Sequence, residues 1–200
     1  PEAVLCLLAG PMSCFTASKS MAVFKSPLSG GAMGSAVSGD YSATIRFAGY
    51  DGVVVTGAAS SPVYVYIEDD LVEIRDASDL WGKDVYETES AALERFGSEM
   101  KDRGKPGAIV IGPAGEKLVR YAIIANDKWR CAGRTGVGAV MGAKRLKAIV
   151  FQGNRQRSLY DPKGVAAYAK AFSKANKQSP GAKAYRSLGT TMMVAVMNKA

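Results

Sequence analysis

The spacing of apolar and polar residues along the chain predicts both strands and helices. Apolar and aromatic side chains alternate from Pro62 to Ile67, and a second apolar run extends from Leu71 to Ile74. The acidic residues between these runs favour a turn, so we expect a β-hairpin. Farther along, apolar residues recur at helical spacing from Asp84 to Phe96, and Gly97 is a suitable end for that helix.

Two stretches of the chain contain a similar order of features, which indicates an internal repeat. Residues 8–57 and 110–153 each begin with an apolar strand pattern that ends in Gly-Pro. Each continues with a connecting segment, a small-residue turn, a short helix and a β-branched strand. When Gly57 is aligned with Gly153, an offset of 96 residues (153 − 57), Ala36 meets Ala132. Chance similarity between glycine-rich segments is the alternative explanation.

The predicted fold class is α+β, because strands and helices are mixed without a regular βαβ alternation. The repeat predicts two similar α+β units around a pseudo-twofold axis. We expect both units to lie in one domain at residues 1–153.

Residues 154–200 are expected to form a linker and the beginning of a helical domain. The first five of these residues are polar and basic, and Asp161-Pro162 is then a typical helix start. Pro180-Gly181 interrupts the helical pattern, and another apolar segment begins at Thr191.

The formal net charge of the chain is +8, which favours anionic partners such as phosphates, nucleic acid or an acidic protein. A generally basic surface is the alternative. The chain contains no histidine, which excludes an imidazole base, a Ser-His-Asp triad and a histidine-ligated metal within it. Its three cysteines include no Cys-x-x-Cys pair, so this segment alone predicts no zinc or iron–sulfur cage.

An odd number of cysteines without a secretory signal fits a reducing compartment. No apolar run reaches the ~18–20 residues that a membrane span needs. We therefore expect a cytoplasmic protein without a membrane span. We also expect the basic residues to lack interleaved, exposed aromatic residues, which argues against nucleic acid as a partner.

The segment from Asn126 to Gly138 carries the clearest indication of a binding site. Arg130 and Arg134 flank small residues, and glycines would let a ligand approach backbone N–H groups that can bind phosphate oxygens. Arginine adds planar, bidentate recognition of phosphate. The segment therefore predicts an anion-binding turn, with a tight packing turn and surface arginines as the alternative. A Rossmann dinucleotide motif is rejected, since the glycine spacing is not GxGxxG and no strand is predicted directly before it.

The matching turn of the first unit is the small-residue stretch from Gly34 to Gly39. Lys19 lies upstream, in a stretch rich in serine and threonine, and could supply a cation to that turn. A solvated surface lysine is the default interpretation of any single lysine.

A set of short strings adds a more specific signal when they are taken together and in order. They are Ala9-Gly10-Pro11, Lys25 to Gly30, Phe47 to Gly52, Pro62 to Ile67, Glu73 to Lys83, Ile111 to Glu116, Arg130 to Arg134 and Lys147 to Ile149. In this order they resemble the N-terminal domain of the aldehyde:ferredoxin oxidoreductase family. The resemblance covers nearly all of residues 1–153 and continues more weakly to the end of the chain.

The resemblance implies an α+β duplication that forms a base under a metal cofactor. In that family the cofactor is tungsten held by the dithiolenes of two pterins, with a magnesium ion bridging the pterin phosphates. Molybdenum is the alternative metal. A pseudo-twofold protein would suit a pseudo-twofold bis-pterin, and the net positive charge would suit its phosphates.

Position by position, the resemblance implies a set of cofactor-binding residues. Arg130 and Gly133 correspond to pterin-contacting positions, and the backbone carbonyl of Cys131 corresponds to a magnesium ligand. The backbone carbonyl of Ala36 is the second expected magnesium ligand, although the family usually has asparagine there. The complete set is Lys19, Ala36, Ser38, Gly39, Arg130, Cys131, Gly133 and Arg134.

The residues before position 40 in this set form the first half-site, and those from Arg130 to Arg134 form the second. The first half-site departs from the family pattern more than the second. Ser38 replaces a pterin-contacting glycine, and Lys19 stands where the family often has arginine. The stretch from Gly10 to Lys25 is also a few residues shorter than usual.

The implied activity is oxidation of an aldehyde to a carboxylic acid, with ferredoxin or another electron carrier as the acceptor. No catalytic residue is expected in this chain, because the tungsten centre carries the chemistry. The [4Fe–4S] cluster for electron transfer and the substrate pocket are expected from a downstream part. We therefore expect the chain to be a fragment that is inactive alone, and the resemblance leaves a homo-oligomer open.

Two other functions stay open. One is the tungsten subunit of a class II benzoyl-CoA reductase, which shares this domain and catalyses a ring reduction. The other, of a different class, is a non-catalytic module that binds an anion.

Overall fold

The computed structural model describes residues 1–11, 13, 19–97, 105–155 and 158–198, and for residues 96 and 97 it describes the backbone alone. These residues form two compact units. The first unit extends from Pro1 to Ser158, and the second begins at Leu159. Within the described residues, no helix is long and apolar enough to cross a membrane.

The described residues of the unit Pro1–Ser158 form ten strands. They are β1 (Leu5–Ala9), β2 (Lys19–Lys25), β3 (Ala32–Ser38), β4 (Gly52–Val55), β5 (Val63–Glu68), β6 (Leu71–Asp76), β7 (Gly107–Val110), β8 (Ile124–Asn126), β9 (Arg130–Ala132) and β10 (Leu146–Gln152).

Where the structure describes the chain, the first unit also contains four helices, and the second unit contains three more and a short 3₁₀ turn. The first four are α1 (Tyr41–Phe47), α2 (Val85–Gly97), α3 (Pro113–Glu116) and α4 (Val137–Ala143). The others are α5 (Pro162–Gln178), α6 (Pro180–Leu188), the 3₁₀ turn (Gly189–Thr191) and α7 (Met192–Met197).

The strands form two sheets. The first has the order β3-β2-β1-β4, and all of its neighbouring strands are antiparallel. The second has the order β6-β5-β10-β7-β8-β9, in which β5 and β10 are parallel and the other pairs are antiparallel. Thus β3 and β9 are edge strands of different sheets, and they lie beside each other.

One hydrophobic core lies between the two sheets. Leu7 and Ala9 of β1 are buried while Leu8 between them is exposed, because successive side chains of a strand point to opposite faces. The buried face of the first sheet shares this core with α1, α4 and one face of the second sheet. The other face of the second sheet packs against α2, where Tyr64 and Tyr66 are buried.

A buried ion pair connects the second sheet to the loop before α2. Lys147 of β10 pairs with Glu116 of α3 and also donates a hydrogen bond of 2.8 Å to the carbonyl oxygen of Lys83. The Glu116 carboxylate accepts the backbone N–H of Gly82 at 3.0 Å. Burial lowers the pKa of Lys147. These partners compensate for taking both charges out of water.

Three local predictions of secondary structure are confirmed. The expected hairpin is β5–β6, with Val63 paired to Asp76 and Glu68 to Leu71. The expected helix from Asp84 is α2. The Asp161 side chain accepts the N–H of Gly164 and caps α5. Together these results confirm the α+β fold class.

The prediction of a turn from Gly34 to Gly39 is wrong, because all of this stretch except Gly39 belongs to β3. Every residue of β3 is paired with a residue of β2. A Cβ atom added at Gly34 would lie 3.1 Å from Sδ of Met21. The large side chain on the neighbouring strand thus occupies the space beside the glycine, and pairing overrides the low strand preference of small residues.

The two proposed repeat units have the same strand order. The repeat at residues 8–57 contributes β3-β2-β1-β4, and the repeat at residues 110–153 contributes β9-β8-β7-β10. The helices α1 and α4 begin 96 residues apart (137 − 41) and end 96 residues apart (143 − 47). The pseudo-twofold axis between the units stays a prediction.

The side chain of Tyr41 at the start of α1 should make stability sensitive to alkaline pH. It is fully buried, and burial raises its pKa from 10.0 to about 12. The unfolded chain therefore loses this proton first as pH rises. Stability that is fully present below pH 10 should fall by about 1.4 kcal/mol per pH unit until pH 12.

Urea unfolding from pH 9 to pH 12 measures this effect as the difference between wild type and Tyr41→Phe. The phenylalanine variant should lack the additional alkaline loss. Tyr160→Phe is the matched control, since Tyr160 is fully exposed, and it should behave as wild type. Equal alkaline losses in wild type and Tyr41→Phe would contradict the prediction.

Candidate cofactor site

The predicted residues of the first half-site lie at one end of the β2–β3 hairpin. Lys19 begins β2 and is paired with Ser38 of β3, while Ala36 is paired with Met21. Lys19 and Ala36 are exposed, and Ser38 and Gly39 are partly exposed. These positions therefore border the outer, solvent-facing side of the first sheet.

The predicted residues of the second half-site lie on β9 and directly after it. Arg130 and Cys131 are in β9, and Gly133 and Arg134 follow. The two arginines and Cys131 are exposed. The expectation that no strand precedes the glycine-rich segment is wrong. β9 was missed because it is three residues long and is defined by its pairing with β8.

Hydrogen bonds between the edges of the two sheets bring the half-sites together. The hydroxyl of Ser35 in β3 donates to the carbonyl oxygen of Gly133 at 2.8 Å. The carboxylate of Asp127, in the β8–β9 turn, accepts the backbone N–H of Asp40 at 2.5 Å. The segments that carry the two sets of predicted residues are therefore neighbours, although about 90 residues of sequence separate them.

The backbone after Gly133 is held in an unusual conformation. Arg134, Thr135 and Gly136 have positive φ angles of 60°, 57° and 86°, which cost energy for residues with a side chain. A Cβ at Gly136 would collide with the carbonyl group of Arg120. The hydroxyl of Ser26 donates to the Thr135 carbonyl oxygen at 2.7 Å and so supports this conformation from the first sheet.

Gly133 itself has space around it on the protein side. Its φ is not positive, and among the described residues the nearest atom to an added Cβ would be Cγ2 of Ile123 at 3.8 Å. The fold therefore does not require glycine at this position. A glycine there leaves room for something to approach the backbone.

Cys131 carries an ordinary thiol at neutral pH. Burial raises the pKa of the Cys131 thiol, and the thiolate is the form that binds metals. The expectation that the backbone carbonyl of Cys131 has the binding role stays a prediction.

An exposed aromatic residue lies within the basic turn. Trp129, between Lys128 and Arg130, is 80% exposed, and its ring centroid is 5.5 Å from that of Tyr86. The expectation that the basic residues lack interleaved, exposed aromatic residues is therefore wrong at this turn.

The chemistry of this region fits a phosphate-bearing group with a hard cation. The edge strands β3 and β9 each have one row of backbone N–H and C=O groups that no strand of their own sheet can pair. Carbonyl oxygens suit magnesium, and the exposed Arg130, Arg134 and Lys19 suit phosphate. The open space beside Gly133 admits a ligand.

Two clefts in the described part of the first unit lie elsewhere. One, of about 410 Å³, is lined by residues that include Asp40, Phe47 and Lys105. The other, of about 430 Å³, is lined by residues that include Trp81 and Arg145. Neither of these two clefts is lined by a predicted cofactor residue.

Comparison with known protein families shows to which family this chain belongs. Residues 1–153 match the family described as aldehyde ferredoxin oxidoreductase, N-terminal domain. The chain belongs to this family. The resemblance inferred from the short strings of sequence is thereby confirmed.

Relatives of known name support the same family. Tungsten-containing aldehyde ferredoxin oxidoreductases of Pyrococcus furiosus and Thermococcus kodakarensis are each 41% identical to this chain over its whole length. An aliphatic sulfonate oxidoreductase, WOR-like subunit, of Pyrococcus furiosus is 39% identical over 76% of this chain and 26% of that protein. The chain spans 33% of the length of the first two relatives.

A solved structure with a similar fold belongs to an enzyme of another name. It is the active site complex BamBC of benzoyl coenzyme A reductase, in complex with 1,5-dienoyl-CoA. The match has a TM-score of 0.76 at 32% identity, and it covers 89% of this chain and 27% of that chain.

Sequence reasoning missed the residues that join the half-sites, above all Glu89 of α2 and the side chain of Asp127. Glu89 accepts hydrogen bonds from the backbone N–H groups of the β8–β9 turn. One signal was present: Glu89 lies between Val85 and Leu93, four residues from each, on the otherwise apolar stripe of α2. A carboxylate on such a stripe is unusual and indicates a buried partner.

Gly39 provides a test of the junction between the half-sites. Its φ is +142°, and an added Cβ would collide with the side chain of Asn126. Gly39→Ala should therefore destabilise the chain by about 1–3 kcal/mol. Gly133→Ala, where there is space, should change stability by less than about 0.5 kcal/mol. The free energies of unfolding in urea measure both, and equal effects of the two substitutions would show that the junction is looser than described.

Proposed function

We propose that this chain is the cofactor-positioning N-terminal part of an oxidoreductase that converts an aldehyde to a carboxylic acid and passes the electrons to ferredoxin. The proposed cofactor is a tungsten bis-pterin. When bound, this group would supply the oxygen and electron chemistry. Because the chain spans a third of the length of its relatives, the proposal concerns the full-length protein that contains it.

The observation that carries the proposal is the junction of β3 with β9. The two segments that the family resemblance assigns to the cofactor are hydrogen-bonded to each other by Ser35 and Asp127. Their exposed cations and their unpaired edge-strand backbone border one surface. A phosphate-bearing ligand could then be held from both segments at once.

The chain's own residues would bind and orient the cofactor. Arg130, Arg134 and Lys19 would neutralise phosphate groups, and the backbone carbonyls of Ala36 and Cys131 would hold a magnesium ion between them. Ser38, Gly39 and Gly133 would allow the pterins close to the backbone. No side chain of this set is proposed as a general acid or base.

The repeated strand order supports the finer proposals about architecture. We propose a pseudo-twofold axis that relates residues 8–57 to residues 110–153 and matches the two pterins. The cofactor-binding domain would comprise residues 1–153, with residues 154–200 leading into a helical domain. A [4Fe–4S] cluster and the substrate pocket would come from the rest of the protein.

A second candidate function is supported by the solved structure of similar fold. The benzoyl-CoA reductase complex has this fold at 32% identity, so the chain could belong to an enzyme that reduces an aromatic thioester. The aldehyde oxidation is favoured because relatives with that name are 41% identical over the whole chain.

Substitutions at the second half-site test cofactor binding in the full-length protein. Charge-assisted hydrogen bonds contribute ~1.5–3 kcal/mol each, so Arg130→Ala should lower the tungsten content per protein at least several-fold. Gly133→Val should lower it further, because a β-branched side chain would fill the space that the ligand needs. Cys131→Ser should retain the wild-type content, since only its carbonyl is involved.

Tungsten is measured by mass spectrometry of the metal, and thermal unfolding of each variant shows whether it is folded. Wild-type tungsten in well-folded Arg130→Ala and Gly133→Val would rule out the proposed site. Loss of tungsten in Cys131→Ser alone would mean that the thiol itself is a ligand.

Substrate assays with the full-length protein separate the two enzymatic candidates. With a viologen dye as the electron acceptor, we expect aldehyde-dependent dye reduction. With the reduced dye as donor, we expect no turnover of benzoyl-CoA. The reverse pattern would replace the proposed reaction with the ring reduction while leaving the cofactor site in place.

A further inference from the structure

Glu89 is a buried carboxylate on a helix whose other core-facing residues are mostly apolar. Glu89 lies on α2 and is 2% exposed. Its two oxygens accept the backbone N–H groups of Asp127 at 2.5 Å and Lys128 at 2.8 Å. A residue of one helix thus binds the turn between β8 and β9 through two separate hydrogen bonds.

The turn that Glu89 binds contains left-handed backbone, which aspartate tolerates but lysine does not favour. Asp127 and Lys128 have positive φ angles of 46° and 58°, and neither residue is a glycine. Left-handed backbone is unfavourable for most residues with a Cβ atom. The two hydrogen bonds that the turn donates to Glu89 stabilise this conformation, and Glu89 itself lies on α2 and not in the β8–β9 hairpin.

The turn in its observed conformation reaches the first half-site. The carboxylate of Asp127 accepts the N–H of Asp40, directly after Gly39, at 2.5 Å. The Asn126 amide, with its nitrogen facing two acceptors, donates to the Ser38 carbonyl oxygen at 3.2 Å and to the Asp127 carboxylate at 3.3 Å. One turn therefore contacts the end of β3 and also begins β9.

Burial of Glu89 is unfavourable by itself. Burial raises the pKa of its carboxyl group, and the nearby Asp127 acts in the same direction, while the two backbone N–H donors and Lys128 oppose it. A carboxylate that only filled space could be replaced by an apolar residue with a gain in stability. The hydrogen bonds to the turn are what distinguishes the carboxylate from such a residue.

We propose that Glu89 is a positioning residue for the cofactor site: it holds the β8–β9 turn so that Arg130 and Cys131 lie against the end of β3. Glu89 acts through Asp127 and does not touch the cofactor itself. The inference rests on the proposed function, because it requires that the two half-sites together bind the cofactor.

The test compares Glu89→Gln with Glu94→Gln in the full-length protein. Glutamine preserves the size of the side chain, but its NH2 group faces a second N–H donor, so one hydrogen bond to the turn is lost. Glu94 is on the same helix and exposed, so its substitution controls for the change in charge. Hydrogen exchange is followed by mass spectrometry on peptides covering residues 124–132 and 36–42, with the cofactor removed and with gas-phase fragmentation by electron transfer to resolve single amides.

In Glu89→Gln, the amide that faces the new NH2 group, of Asp127 or of Lys128, should exchange about tenfold faster, as expected for the loss of one hydrogen bond. The amide of Asp40 should also exchange faster, and tungsten content in the loaded protein should fall several-fold. Asp127→Gly tolerates the positive φ but removes the carboxylate. It should affect Asp40 while Lys128 stays protected. Glu94→Gln should match wild type in every measurement.

Several outcomes would overturn the proposal. Wild-type exchange of the turn in Glu89→Gln would mean that the carboxylate does not hold it. Faster exchange with unchanged tungsten would mean that the turn does not position the site. Faster exchange throughout α2 and the second sheet would indicate a general structural role. If Arg130→Ala loses tungsten and Glu89→Gln does not, only the positioning role fails; if Arg130→Ala also retains it, the proposed site itself fails.

Discussion

The meeting of two sheet edges, β3 and β9, is the contact on which the candidate site depends. An edge strand leaves a row of backbone hydrogen-bonding groups unpaired by its own sheet. Here the bonds described across this junction run through side chains: Ser35 and Ser26 donate to the carbonyl oxygens of Gly133 and Thr135, Asn126 donates to Ser38, and Asp127 accepts the N–H of Asp40. This crossing through side chains brings the edges together while leaving backbone groups and exposed cations available. A continuous ladder between the two strands would have used the same groups for folding.

The rest of the first unit keeps these edges in position. The shared core between the sheets determines the distance between them, and α2 covers the opposite face of the second sheet. Buried charged groups on the second sheet and α2 have defined partners. Lys147 pairs with Glu116, and Glu89 binds the β8–β9 turn. Charged groups buried in this way act as specific connections, because each is costly unless its partner is in place.

Several features could be predicted because their causes are local. The β5–β6 hairpin follows from alternating residues and an acidic turn, and the start of α5 follows from Asp161 and Pro162. The candidate site was predicted partly from glycines and arginines and partly from family resemblance. The strands β3 and β9 were missed, since small residues and a three-residue strand give no periodic signal. Glu89 was also missed, although its place on an apolar helical stripe marked it as unusual.

The sequence by itself determined the family, the α+β class and the segments that are proposed for the site, because these are encoded in short strings and local periodicity. Tertiary structure alone decided that the two segments meet. The hydrogen bond between Asp40 and Asp127 joins residues 87 positions apart, and no local preference specifies such a pair. It also decided that Gly34 lies in a strand, since Met21 of the neighbouring strand occupies the space beside it. Long-range pairing and burial override local preference wherever the local signal is weak.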